Sequence, residues 1–275
     1  MKNIIIPVDF SIHSEYALKT GAMLAKKHDA TLHVLHMLEL SDSLISHSAN
    51  ENKNEMMFLL ALTKKKFEPF LEKGFLDGVK VEAVIKHHKV YKEVDALAQK
   101  VNADLIIMGS HGLMAHEGIF AGSNAEKMVR NSNTPVLTIK SDPNNTDFNK
   151  VVLATDMSTK SVAAYQKAKS IFSTLGSTIQ LVYINRPHHN FISTQEFKEL
   201  RKDFAKAGGT DQVEFISGYT VEDGLFEYAD DTKADCVAVS TNARKGISHF
   251  FKGSISEDVA NHSKLPVMSF KIEKR

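Results

Sequence analysis

The chain contains an internal repeat, and this repeat limits the possible folds more than any other feature of the sequence. Two stretches align without a gap at an offset of 131 residues: ADLIIMGSHGLMAHEGIFAGSNAEKMVRNSNTPVLTIK from Ala103 and ADCVAVSTNARKGISHFFKGSISEDVANHSKLPVMSFK from Ala234. Upstream, NIIIPVDFS at Asn3 aligns with KVVLATDMS at Lys150 at an offset of 147 residues. Because the chain has 275 residues, each copy has room for a domain of ordinary size. The repeat therefore predicts two copies of one domain in tandem.

The change of offset shows that the copies differ in length. The second copy lacks 16 residues between its first and its later elements, and the polar residues 41–54 are the expected surplus of the first copy. Between the copies, residues 141–149 (SDPNNTDFN) are rich in turn formers, which is typical of a linker. We therefore predict one domain over residues 1–141 and a second over residues 150–275.

Short apolar runs alternate with helical patterns in each copy. In the first copy the runs predict strands near residues 3–8, 31–37, 80–85, 104–109 and 135–140. Runs such as NIIIPV and DLIIMG are apolar throughout, as expected of parallel strands that are covered on both faces. The pattern predicts an α/β fold with two tandem, doubly wound, five-stranded parallel sheets. Ligands of such sheets bind beyond the carboxyl ends of the strands.

Charge and hydropathy exclude two classes of partner. The formal net charge of +1 lacks the basic footprint that nucleic-acid binding requires. No apolar run approaches the roughly 20 residues that span a bilayer, and the short run before Pro7 does not predict a signal peptide. The single cysteine, Cys236, lies in an apolar run, which favours a buried inert thiol over a nucleophile. We predict a cytoplasmic protein that binds neither nucleic acid nor membrane.

A glycine-rich loop follows the fourth strand. It contains Gly109-x-x-Gly112, nine further residues and Gly122-Ser123-Asn124, after which a helical pattern begins. Glycine lets the backbone approach a pyrophosphate closely, and the N–H groups and dipole at a helix N-terminus favour anions. The loop therefore predicts a phosphate site. The alternative is a glycine-rich turn followed by a Ser/Asn helix cap.

Asp9 ends the first strand and has two possible roles. Its carboxylate is suited to accept hydrogen bonds from ribose hydroxyls or an adenine amine, and Asp9-Phe10-Ser11 is equally well suited to be the N-cap of the following helix. The chain has neither the P-loop pattern G-x-x-x-x-G-K-[ST] nor a G-x-G-x-x-G after the first strand, which argues against nicotinamide chemistry. Neither a nucleophile–base constellation nor a metal-ligand spacing is present, so we predict no catalytic residue and no metal site.

The motifs PVDFS, MGSHG and G-x-x-G-x(9)-G-S-N together resemble the universal stress protein family, over nearly the whole chain and in both copies. The resemblance implies an adenine nucleotide alpha hydrolase-like fold with strand order 3-2-1-4-5. It also implies that the domain binds ATP or AMP, with or without Mg²⁺, pairs through its last strand and serves stress responses. By the family pattern, the positions that contact the nucleotide correspond to residues of the first copy. They are Pro7, Val8 and Asp9 for the adenosine, Met37 for the base, Met108, Gly109, His111 and Gly112 for the ribose and phosphates, and Gly122, Ser123 and Asn124 for the phosphate tail.

The second copy departs from the pattern at three of these positions. Ser240 replaces Gly109, Ala243 replaces Gly112, and Ile255 replaces Asn124. A Cβ at two glycine positions crowds the approach to a phosphate, so we predict a degenerate partner domain, with a weak anion site as the alternative. We expect the two domains to form an intramolecular pseudo-dimer, with a homodimer of the chain as a further alternative.

These observations predict a cytoplasmic stress-response protein that binds ATP or AMP in its first domain and acts as a nucleotide-dependent signalling or protective module. A slow ATPase or nucleotidyl-transfer activity in the same pocket is the alternative function, and a purely structural module is a third. The missing P-loop lysine argues against the enzyme.

Overall fold

The computed structural model describes residues 1–38, 49–87, 90–110, 125, 127–129, 132–143, 147–187, 191–241 and 265–272. These residues form two compact units, one from residues up to 143 and the other from residues 147 onwards. Each unit is an α/β structure with its own parallel sheet.

The described part of the first unit contains five parallel strands, three α-helices, the further helical residues 125 and 127–129, and a short 3₁₀ turn at Gly74–Leu76. The strands are β1 (Asn3–Val8), β2 (Thr31–Leu38), β3 (Lys80–His87), β4 (Leu105–Gly109) and β5 (Val136–Ile139), and the helices are α1 (Ile12–His28), α2 (Ala49–Leu71) and α3 (Val90–Val101). Neighbouring strands pair in the order β3-β2-β1-β4-β5. The apolar run Ile4–Ile6 on the central strand β1 is fully buried, as its composition predicts for a strand that is covered on both faces.

The second unit repeats this arrangement within residues 147–187, 191–241 and 265–272. Its strands are β6 (Lys150–Ala154), β7 (Thr178–Asn185), β8 (Val213–Ser217), β9 (Cys236–Thr241) and β10 (Val267–Lys271), and its helices are α4 (Thr159–Leu175), α5 (Thr194–Lys206) and α6 (Val221–Asp231). The strands pair in parallel in the order β8-β7-β6-β9-β10. The predicted fold class and the strand order 3-2-1-4-5 are thus confirmed in both units.

An aligned pair of aspartates ties the fourth strand of each sheet to the first. The carboxylate of Asp104 accepts hydrogen bonds from the backbone N–H groups of Lys2 and Asn3, and that of Asp235 accepts one from Lys150 at 2.8 Å. Both aspartates lie at the amino ends of the strands, which is the edge of the sheet opposite the predicted site. This part of the repeat is therefore explained by the fold.

The length difference between the copies lies largely in one helix. The helix after the second strand has 23 residues in the first unit (α2) and 13 in the second (α5). The last six residues of the predicted surplus, residues 41–54, belong to α2, which begins at Ala49. Residues 39–48 lie outside the described residues.

Within the described ranges, none of the helices is both long enough and apolar enough to cross a bilayer.

Candidate functional site

The described members of the predicted site lie at one edge of the first sheet. Pro7 and Val8 end β1, Met37 is near the end of β2, and Met108 and Gly109 end β4. Because β1 pairs with both β2 and β4 in parallel, the three strands end at the same carboxyl edge, where doubly wound sheets bind ligands. The remaining predicted residues lie outside the described residues: His111, Gly112, Gly122, Ser123 and Asn124.

Asp9 shapes the turn between β1 and α1. Its Oδ1 accepts a hydrogen bond from the backbone N–H of Ser11 at 3.0 Å, and Phe10 between them has a left-handed backbone with φ of 63°. Ser11 is the residue that caps α1, since its hydroxyl oxygen accepts from the N–H of Ser14 at 3.2 Å. The alternative interpretation of Asp9-Phe10-Ser11 as a helix N-cap is therefore confirmed for Ser11 and wrong for Asp9. Asp9 instead holds the turn that precedes the cap.

The second unit builds the same turn. Asp156 accepts a hydrogen bond from the N–H of Ser158 at 2.9 Å, Met157 has φ of 54°, and Ser158 caps α4. Burial acts to raise the pKa of Asp156, but hydrogen bonds from Ser161 and Ser158 outweigh it and hold that pKa below its ordinary value. The turn is therefore a repeated feature of the two units.

An aromatic cluster lies next to Asp9 and was not predicted from the sequence. The ring of Phe10 lies 4.4 Å from that of His36 and meets Phe67 and Phe70 edge-on at 5.2 and 5.3 Å. His36 Nδ1 lies 2.8 Å from the carbonyl oxygen of Val8, and because a carbonyl oxygen only accepts, Nδ1 carries the hydrogen. The cluster joins the ends of β1 and β2 to the last turns of α2. The three-residue spacing of Phe67 and Phe70 in the sequence was the signal from which this cluster could have been predicted.

Gly109 allows α1 to pack directly against the end of β4. A Cβ at Gly109 would lie 2.8 Å from both the carbonyl carbon and the Cβ of His13, in the first turn of α1. The backbone of Gly109 is not in the left-handed region. The structure therefore gives close helix packing as a reason for this glycine, whereas the sequence pointed only to phosphate approach. The aligned residue of the second unit, Ser240, already carries a Cβ.

Cys236 lies away from the candidate site, at the first residue of β9 and hence at the amino edge of the second sheet. The thiol is fully buried, and burial raises the pKa of Cys236 to about 12. The prediction that this thiol is buried is confirmed.

Comparison with known proteins places the chain in a family. The model of the universal stress protein family matches residues 1–140 and again residues 147–271. A universal stress protein of Methanocaldococcus jannaschii is 31% identical over 149 residues, which are 50% of this chain and 82% of that relative. The crystal structure of a universal stress protein from Archaeoglobus fulgidus covers 99% of this chain and 97% of its own, at 21% identity and a TM-score of 0.67, and so shares the fold. A universal stress protein solved in complex with cAMP covers 46% of this chain and 98% of its own, at 26% identity and a TM-score of 0.35.

The family model accounts for both halves of the internal repeat, and both halves have the same strand order. The chain therefore belongs to the universal stress protein family, in a form with two domains in tandem.

Proposed function

We propose that the domain of residues 1–141 binds ATP or AMP at the carboxyl edge of its sheet, and that the domain of residues 150–275 is a structural partner. The chain would then act in the cytoplasm as a nucleotide-dependent signalling or protective module. The observation that carries the proposal is the position of the motif G-x-x-G-x(9)-G-S-N. It begins at Gly109, at the end of β4, and β4 is the neighbour of the strand that leads to Asp9.

The adenosine end of the nucleotide would lie beyond β1 and β2. The hydrogen bond from Ser11 orients the carboxylate of Asp9, which is suited to accept from ribose hydroxyls. The side chain of Met37 is buried, so Met37 would contact the base through its backbone, as the family resemblance implies. The half-buried Phe10 offers an aromatic surface beside this position, and adenine is a flat aromatic ring.

The phosphate end would lie beyond β4. Ala125 and residues 127–129 are helical, and Gly122-Ser123-Asn124 comes directly before them in the sequence. A helix N-terminus presents free N–H groups and a favourable dipole to an anion. This arrangement supports the assignment of the phosphate tail to those three residues.

The second unit differs at the adenosine end as well as in its loop. Met157, which aligns with Phe10, is 4% exposed, and Tyr183, which aligns with His36, packs against Phe197 and Phe215. Met157 therefore leaves no aromatic surface at the position that the half-buried Phe10 has in the first unit. The difference supports a single competent site in the first domain.

The role of Asp9 can be tested by substitution. We expect Asp9→Ala to weaken ATP binding by roughly 1.5–3 kcal/mol, about 10- to 150-fold in Kd, which is the range for hydrogen bonds to a charged group. We also expect a loss of about 1 kcal/mol of stability, because the turn loses the bond to Ser11. Isothermal titration calorimetry and urea denaturation measure the two effects.

Asp156→Ala is the matched control, since it removes the same turn bond from the second unit. It should lower stability and leave ATP affinity unchanged. If Asp9→Ala binds ATP as tightly as the wild type, Asp9 stabilises the turn but does not contact the nucleotide. Steady-state assay of ATP turnover on the same samples separates a binding module from the slow enzyme.

The partner proposal concerns β5 and β10, the last strands of their units. We propose that they pair with each other in antiparallel fashion, because an unpaired strand edge invites a partner. If β5 and β10 of the same chain pair with each other, the protein should sediment as a monomer of 30.6 kDa. Analytical ultracentrifugation at micromolar concentration checks this, and a species of twice that mass would favour the homodimer.

A further inference from the structure

A buried ammonium group lies at the end of β5. Lys140 follows β5 directly, and its Nζ is buried without a hydrogen-bond partner among the described residues, although the stem of the side chain is partly exposed. Burial lowers the pKa of Lys140 to about 8. An ammonium group without a partner is costly to bury, so the position is favourable for an anion that would compensate it.

The strand ladder places Lys140 beside the phosphate motif. The N–H of Ser110 donates to the carbonyl oxygen of Ile139 at 2.9 Å, which continues the pairing of β4 with β5 beyond the last residue of each strand. Lys140 is therefore in register with Ser110. Ser110 lies between Gly109 and His111, within the first half of G-x-x-G-x(9)-G-S-N.

Lys140 also shares a face of the sheet with the helix of the phosphate motif. Gly109 faces α1, so the next residues in register, Ser110 and Lys140, point to the opposite face. Crossovers between parallel strands are right-handed. The connection from β1 to β2 and the connection from β4 to β5 run towards opposite edges of the sheet. The helix of the first connection, α1, and the helical residues of the second, Ala125 and Met128, therefore lie on opposite faces of the sheet. Lys140 and these helical residues therefore lie on the same face of the sheet.

We propose that Lys140 is a ligand of the nucleotide's phosphates and makes the site selective for ATP over adenosine. The inference rests on the proposed function, since it needs a nucleotide in the first unit. A P-loop carries the lysine that reaches its phosphates within the loop itself, and that lysine is missing here. In this chain the positive charge would come from the neighbouring strand instead.

The repeat supplies a matched control. Lys271 aligns with Lys140 at the offset of 131 residues and ends β10 in the second unit. Lys271→Met removes the same charge from the copy whose loop has lost two glycines and the Asn. Lys140→Arg keeps the positive charge at the tested position.

The test is calorimetric titration of the full chain with ATP and, separately, with adenosine. We expect Lys140→Met to weaken ATP binding about 10- to 150-fold, the fold-change that corresponds to losing a hydrogen bond to a charged group, and to change adenosine binding by less than about twofold. Lys140→Arg should retain most of the preference for ATP, and Lys271→Met should behave as the wild type. Circular dichroism verifies the fold, and Lys140→Gln replaces Lys140→Met if that variant does not fold.

Two outcomes would overturn the inference in different ways. If the wild type binds ATP and Lys140→Met keeps the same ratio of ATP to adenosine affinity, Lys140 is a buried lysine without a ligand role, while the nucleotide site stands. If the wild type binds neither ligand, the proposed function itself falls, and the role of Lys140 falls with it.

Discussion

Replacing Gly109 by alanine is expected to lower the free energy of unfolding by about 2–3 kcal/mol, the upper part of the range for an overpacked core. The added Cβ would lie 2.8 Å from the carbonyl carbon and Cβ of His13. Backbone atoms in the first turn of α1 cannot rotate away as the end of a side chain can. The helix must therefore move off β4, or the strand end must shift. Urea denaturation followed by circular dichroism measures the loss.

Ser240→Ala is the control for this substitution. Ser240 occupies the aligned position in the second unit and already has a Cβ, so removal of its hydroxyl should change stability by less than about 1 kcal/mol. If Gly109→Ala is as stable as the wild type, α1 can move to accommodate the added Cβ without lowering the free energy of unfolding. The glycine would then be required only by the ligand.

The second large effect is the asymmetry of nucleotide binding between the two copies. Titration of the intact chain should show one tight site, and Gly122→Val should abolish it, because a branched side chain fills the space that the phosphates need. Gly253→Val makes the same change in the second copy and should leave affinity nearly unchanged. Calorimetric titration with ATP, at concentrations that saturate the wild type, checks both variants.

The same pair of variants can reject the assignment of the competent half. If Gly253→Val removes binding and Gly122→Val does not, the nucleotide lies in the second domain. If neither variant affects binding, the nucleotide does not use the loop that follows the fourth strand of either copy.

The fold could be predicted from the sequence because its signals are local or repeated. The apolar run Ile4–Ile6 indicates a strand covered on both faces, and the duplicated pattern marks each βα unit twice. The residue that caps α1 was harder to predict from the sequence. Asp9 and Ser11 are both good capping residues, and only the backbone conformation of the structure shows that Ser11 takes the cap.

The surroundings of the site could not be predicted, because they depend on contacts between residues far apart in the chain. Phe10 meets Phe67 and Phe70 only after α2 has folded back over β1 and β2. The role of Gly109 depends on the distance between α1 and β4, and the burial of Lys140 Nζ depends on how the chain packs around the end of β5. A sequence motif contains no information about these distances.

The burial of Cys236 limits how this protein can respond to oxidants. Peroxides and disulfides react with the thiolate, and burial raises the pKa of Cys236 to about 12, so the thiol stays protonated at pH 7. The sulfur is also closed to solvent, and the chain has no second cysteine to resolve a sulfenic acid. If the protein serves in oxidative stress, the signal must reach it by a route other than its own thiol, and a change in the cellular nucleotide pool is one that the proposed site would detect.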